Sequence, residues 1–205
     1  MAHLELVQPA PLDLNTPPRS DHSVIAQLVG EGARVLDVGC GDGALMRLLI
    51  RERGARVRGL ELDPIKVHNC VSRGLSVVQG DAERDLEHFP NEAFDYVVFS
   101  HALMKLRQPQ AALKTAARVG GHVIVSLNNA GHIKTRLRHA FSGRLTRWNE
   151  DAPCTARDFV EMTREMRLTL ERGVPISGGH PGAPFAKRVW RANWFAEQAV
   201  FLLSS

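Results

Sequence analysis

Two rhythms of apolar and polar residues alternate along this chain. Short β-rich runs fall at 34–38, 57–62, 75–79, 94–100 and 122–127. Between them, apolar residues recur at helical spacing. Leu45, Met46, Leu48, Leu49 and Ile50 predict a helix that Gly54 closes. Residues 64–73 predict another, with Pro64 in its first turn, and residues 109–118 a third. Ahead of the first strand, Val24, Ile25, Leu28 and Val29 predict a helix capped by Asp21 or Ser23. The run 94–100 is apolar nearly throughout, as a strand covered on both faces is. Strands alternating with helices predict βαβ units and a doubly wound, Rossmann-like α/β sandwich.

The last third is less regular. Residues 133–141 read as a basic helix, and Thr155 as the cap of a helix over 156–166. Strands are expected at 168–176 and 195–203, around a Gly/Pro-rich loop at 177–184. The expected sheet has seven strands, mostly parallel, with the last one antiparallel. Residues 1–20 carry Pro9, Pro11, Pro17 and Pro18 and read as a flexible arm, leaving 21–205 as one domain.

Composition narrows the class only a little. With 44% hydrophobic and 23% charged residues the chain is globular. Its net charge of +4 permits an anionic partner without demanding one. Three widely spaced cysteines, Cys40, Cys70 and Cys154, make a poor disulfide framework, and no histidine spacing suits a metal. No apolar run is long enough to span a bilayer, and the first twenty residues lack the pattern of a secretory signal. A cytoplasmic protein with reduced thiols is expected.

The chemistry concentrates where the first strand ends, in Asp37-Val-Gly39-Cys40-Gly41-Asp-Gly43. Glycines let a backbone take positive φ and come close to a ligand, and open α/β sheets bind ligands at the carboxyl ends of their strands. Gly39, Gly41 and Ala44 also satisfy a dinucleotide fingerprint, and Glu61 sits where a ribose-binding acid belongs in either case. Asp37 decides between them. A carboxylate there repels a pyrophosphate but suits the ammonium and sulfonium charges of S-adenosylmethionine. Asp81, after the third strand, is a further acid in register.

Together these features resemble the class I S-adenosylmethionine-dependent methyltransferases. Closer likeness is to the MetW family of methionine biosynthesis, carried by Val35-Leu-Asp-Val-Gly-Cys-Gly-Asp-Gly43, Gly59-Leu-Glu-Leu-Asp63, Asn129-Ala-Gly-His132, Cys154-Thr-Ala-Arg-Asp-Phe159 and Phe195-Ala-Glu-Gln-Ala-Val-Phe201. The likeness implies a cofactor site of Asp37, Gly39, Cys40, Gly41, Gly43, Glu61, Leu62, Asp81, Ala82 and Ser100. Glu61 would take the ribose hydroxyls and Asp81 the adenine amino group. It also implies S-adenosylmethionine or S-adenosylhomocysteine as ligand and a homoserine O-acyltransferase as partner, with methyl transfer to a small molecule as the alternative. Two departures stand out: residues 145–153 are shorter than the family's stretch, and Asn128 replaces its proline.

His101, after the fourth strand, and His132 are candidate bases, since imidazole titrates near neutrality. A loop histidine lending only its backbone is the competing reading. Lys134, Arg136, Arg138, His139, Arg144 and Arg147 form a basic stretch. It reads as a solvated or protein-docking face rather than as a nucleic-acid platform, because stacking aromatics are not interleaved. Trp190, Trp194 and Phe195 read as core or partner contacts.

Overall fold

The computed structural model describes residues 18–142, 153–186 and 189–205. Most of the expected arm, residues 145–152 of the shortened stretch, and Arg144, Arg147 and Trp148 lie outside them. Helix α1 (Ser20–Leu28) leads into strand β1 (Arg34–Val38), followed by α2 (Ala44–Arg53), β2 (Arg56–Glu61), α3 (Pro64–Ser72) and β3 (Val77–Gln79). A short helix α4 (Ala82–Asp85) precedes β4 (Phe94–Ser100), α5 (Pro109–Val119) and β5 (Gly120–Asn128). The remainder is α6 (Ile133–Ser142), α7 (Ala156–Glu165), β6 (Thr169–Ser177), β7 (His180–Pro181), α8 (Trp190–Phe195) and β8 (Gln198–Ser204).

The strands form one sheet in the order β3-β2-β1-β4-β5-β8-β6-β7. Strands β1 to β5 run parallel, while β8 is antiparallel to both its neighbours, β5 and β6. The sheet therefore has eight strands, not seven. The additional one is the two-residue β7, which pairs back onto β6 through the Gly178-Gly179 turn. Its brevity hid it in what reads as loop. The expected strand over 195–203 starts later, at Gln198, because Phe195 closes the helix α8.

Side chains alternate across the sheet with period two, so each strand feeds two cores. Leu36, Val97, Phe99, Val123, Val125 and Phe201 pack with Leu113 of α5 and Phe159 of α7. Val35, Val98, Ile124 and Val200 pack on the other face with Ile25 of α1 and Leu49 of α2. That second face matters for function, because Asp37, Ser100 and Ser126 fall on it by the same alternation. Strand order reverses between β1 and β4, which opens a crevice at their carboxyl ends.

Candidate functional site

The first turn after β1 is built to leave backbone exposed in that crevice. Gly39 has φ 73°, and a Cβ on it would stand 2.9 Å from Cβ of Ala102 in the loop after β4. Gly43 has φ 75° and forms the N-cap of α2; a Cβ there would run into Leu75 and Cys70. A side chain at either place meets these neighbours and a left-handed backbone that disfavours it.

Around this turn lies a cavity of about 410 Å³, lined by Asp37, Gly39, Cys40, Gly41, Glu61, Leu62, Asp81, Ala82, Ser100 and His101 among others. Nine of the ten residues expected at a cofactor site are thus brought to one place; Gly43 stands behind the lining and shapes the turn. Leu62 and Asp81 also line a second cavity of about 680 Å³, which continues the cleft towards α5. His132 is not in the cleft. It is buried where α6 begins, and its backbone N–H donates to the Asn129 carbonyl.

Asp37 is the least satisfied group in the site. It is buried within β1, and neither carboxylate oxygen has a hydrogen-bond partner among the described residues. Burial, followed by the negative charges of Glu61 and Asp21, pushes its carboxyl up to about 7. Glu61 is better provided for. It accepts from the Gly41 N–H at 2.8 Å and from the Asp63 N–H at 3.0 Å, one bond to each oxygen. These bonds fix the plane of the carboxylate and leave lone pairs for further donors. Asp81 accepts from the Glu83 N–H at 2.9 Å and so caps α4. Asp63 caps α3 in the same way. Cys40 is buried, and burial pushes its thiol far above the ordinary range. It acts as a small filler over Gly59, not as a nucleophile.

Asp21 was expected only as a helix cap. In fact α1 begins at Ser20, its N-cap is Arg19, and no side chain caps it. Asp21 turns inward instead, 1% exposed, and accepts from the hydroxyls of Ser100 and Ser126, both at 2.9 Å. Arg19 donates two bonds to it at 3.1 Å, and Nε2 of His101 lies 3.5 Å away. Burial opposes its ionisation, but His22, Arg19, His101 and the Ser126 hydroxyl outweigh burial and hold its carboxyl below the usual range. This one side chain ties α1 to the ends of β4 and β5 and presents Arg19 to the cleft. His101 itself has φ 51°, and its backbone N–H donates to both the carbonyl and the hydroxyl of Ser126.

The sequence from residue 19 to residue 203 matches the family described as methionine biosynthesis protein MetW. The chain belongs to the MetW family. A curated relative, the bifunctional methionine biosynthesis protein MetXA/MetW of Rhodopirellula baltica, is 29% identical over 66% of this chain and 22% of its own length. The ubiquinone biosynthesis O-methyltransferase of Photorhabdus laumondii is 36% identical over 48% of this chain and 44% of its own. The chain thus spans less than half the length of either relative. Among solved structures, a methyltransferase from Thermotoga maritima, described as a possible histamine N-methyltransferase, superposes with a TM-score of 0.68. It covers 90% of this chain and 87% of its own at 17% identity, so the shared feature is the class I methyltransferase fold.

Proposed function

We propose that the cleft binds S-adenosylmethionine, or its demethylated product S-adenosylhomocysteine, and that the protein acts with or regulates a homoserine O-acyltransferase in methionine biosynthesis. Asp37 carries the cofactor reading. A buried carboxylate with no donor is costly, and a cationic ligand at the glycine turn removes that cost. The other groups fit the same ligand. Glu61, its plane fixed by two backbone N–H groups, suits the ribose hydroxyls, and Asp81 suits the adenine amino group. Arg19, held by Asp21, supplies a cation for the methionine carboxylate. Leu62, Ala82 and Ser100 complete the walls.

The partner reading rests on membership of the MetW family and on the relative whose name joins MetXA to MetW in one chain. Three free, buried cysteines suit a reducing compartment, the cytoplasm, and no described helix is long and apolar enough to cross a membrane. Methyl transfer to a small molecule is the second reading. It is favoured by the Asp21–His101 pair at the cleft, where His101 would orient or deprotonate an acceptor.

Calorimetry tests the cofactor reading. S-adenosylmethionine should bind the wild type, and Asp37→Ala or Glu61→Ala should each weaken it ten- to a hundredfold. That corresponds to a charge-assisted contact of about 1.5–3 kcal/mol. Binding of NAD with no binding of S-adenosylmethionine would overturn it. The partner reading requires the acyltransferase to co-purify. Linkage adds that S-adenosylmethionine must shift that association by the factor by which the acyltransferase shifts S-adenosylmethionine affinity.

A further inference from the structure

Ten large hydrophobic residues are exposed in the described chain, and five of them lie on two helices, α6 and α8. All the exposed aromatics are in this group. Leu137 and Phe141 are four apart on α6 and share one face; Trp190 and Trp194 are four apart on α8 and do the same. Phe141 is 88% exposed, Trp190 57% and Phe195 58%, which no single-residue accident of a monomer surface explains. The two helices meet where the Arg136 guanidinium lies 4.4 Å over the ring of Trp194.

One buried side chain links the segment ahead of α6 to α7 and α8. Asn129, 3% exposed, donates its side-chain amide to the carbonyls of Ala192, Asn193 and Ala196 in and after α8. Its side-chain oxygen accepts from Gly131 ahead of α6 and from Ala156 in α7. The charge of the patch is one-sided. The sequence has no Asp or Glu between Asp95 and Glu150, nor between Glu171 and Glu197. Lys134, Arg136 and Arg191 flank the aromatics and are exposed. Glu197, beside them, is occupied by Lys134 and by the Gly178 N–H. Asn128, at the end of β5, pairs with Gln198, at the start of β8, so both helices leave the sheet at the rim that carries the cleft.

We infer that α6 and α8 form the docking face for the acyltransferase partner, which meets it with an apolar projection ringed by carboxylates. This rests on the partner reading above. Charge complementarity selects an acidic surface, and the large rigid aromatics select an apolar one; Trp and Arg are the residue types that dominate such contacts. A nucleic acid fits less well, since the face of Trp194 that a base would stack on is already covered by Arg136.

The test measures binding of the acyltransferase from the same organism to the full chain by biolayer interferometry, at low and high salt. Trp190→Ala/Trp194→Ala and Arg136→Glu/Arg191→Glu should each weaken the complex at least tenfold. The charge variant should abolish most of its salt dependence. Both should keep wild-type affinity for S-adenosylmethionine and a cooperative melting transition, which shows that they fold. If the wild type fails to bind the acyltransferase, the partner reading itself falls. If the wild type binds and both variants bind equally well, the docking face alone is wrong. The same holds if the variants lose binding to RNA or to anionic phosphatidylglycerol vesicles but keep the acyltransferase.

Discussion

Asp37 shows how one side chain sets affinity against stability. Its carboxyl titrates near pH 7 in the folded protein, against 3.8 for an unperturbed aspartate. Between those values the folded state holds a proton that the unfolded state has released. Stability of the ligand-free protein therefore falls as pH rises from about 4 to 7, by up to about 4 kcal/mol from this group. Asp37→Asn should melt higher than the wild type at pH 8 and at nearly the same temperature at pH 4. Affinity for a cationic ligand runs the opposite way, rising with pH in the wild type and staying flat in the variant. A variant that melts lower than the wild type at pH 8 would show that the charge is compensated in the ligand-free fold. Asp37 and Glu61 were legible in the sequence because glycine spacing and strand rhythm locate them. Asp21 was not. An acid at a helix start usually serves its own helix, and the hydroxyls it binds lie 79 and 105 residues away.

Among the elements, the parallel half was legible and the C-terminal third less so. Strands β1 to β5 announce themselves through apolar runs between glycine turns. Helix α8 does not, since Trp190 to Phe195 is rich in aromatics that strands also favour. What makes it a helix is tertiary. Ala192 and Asn193, between the exposed tryptophans, are buried, and Asn129 collects the carbonyls at its end. Truncating Asn129 to alanine takes away the partner of the Gly131 and Ala156 N–H groups and of the Asn193 and Ala196 carbonyls, at about 1–3 kcal/mol for each buried group left unpaired. Asn129→Ala should therefore lower stability to denaturant by at least about 2 kcal/mol. Hydrogen exchange should quicken in α8 and the first turn of α7 before it quickens in β1 or β4. Exchange that rises equally everywhere would mean that Asn129 supports the whole fold and does not organise these helices in particular.

At the scale of the molecule, the cleft gathers pieces from all along the chain: Arg19, the turn after β1, Glu61, Asp81 and the loop after β4. A ligand there adds contacts to the few side-chain bonds, such as Gly41–Glu61 and Asp21–Ser100, that already join these elements. At a hundred times its dissociation constant it adds about 2.7 kcal/mol, or roughly 5–10 °C in melting temperature for a domain of this size. Differential scanning calorimetry with S-adenosylmethionine checks this, and a shift of the same size with Asp37→Ala would count against the site. The sheet order has a further consequence, for how the chain comes into being. Strand β8 sits between β5 and β6, and β6 has no other neighbour in the sheet except the two-residue β7. Until Gln198–Ser204 has been synthesised, the 169–181 hairpin lacks its partner strand in the sheet and β5 shows a bare, strongly apolar edge. A chain made only as far as β6 thus lacks the strand that joins the parallel half to the hairpin. The strand that covers this edge is the last strand of the sheet to be synthesised.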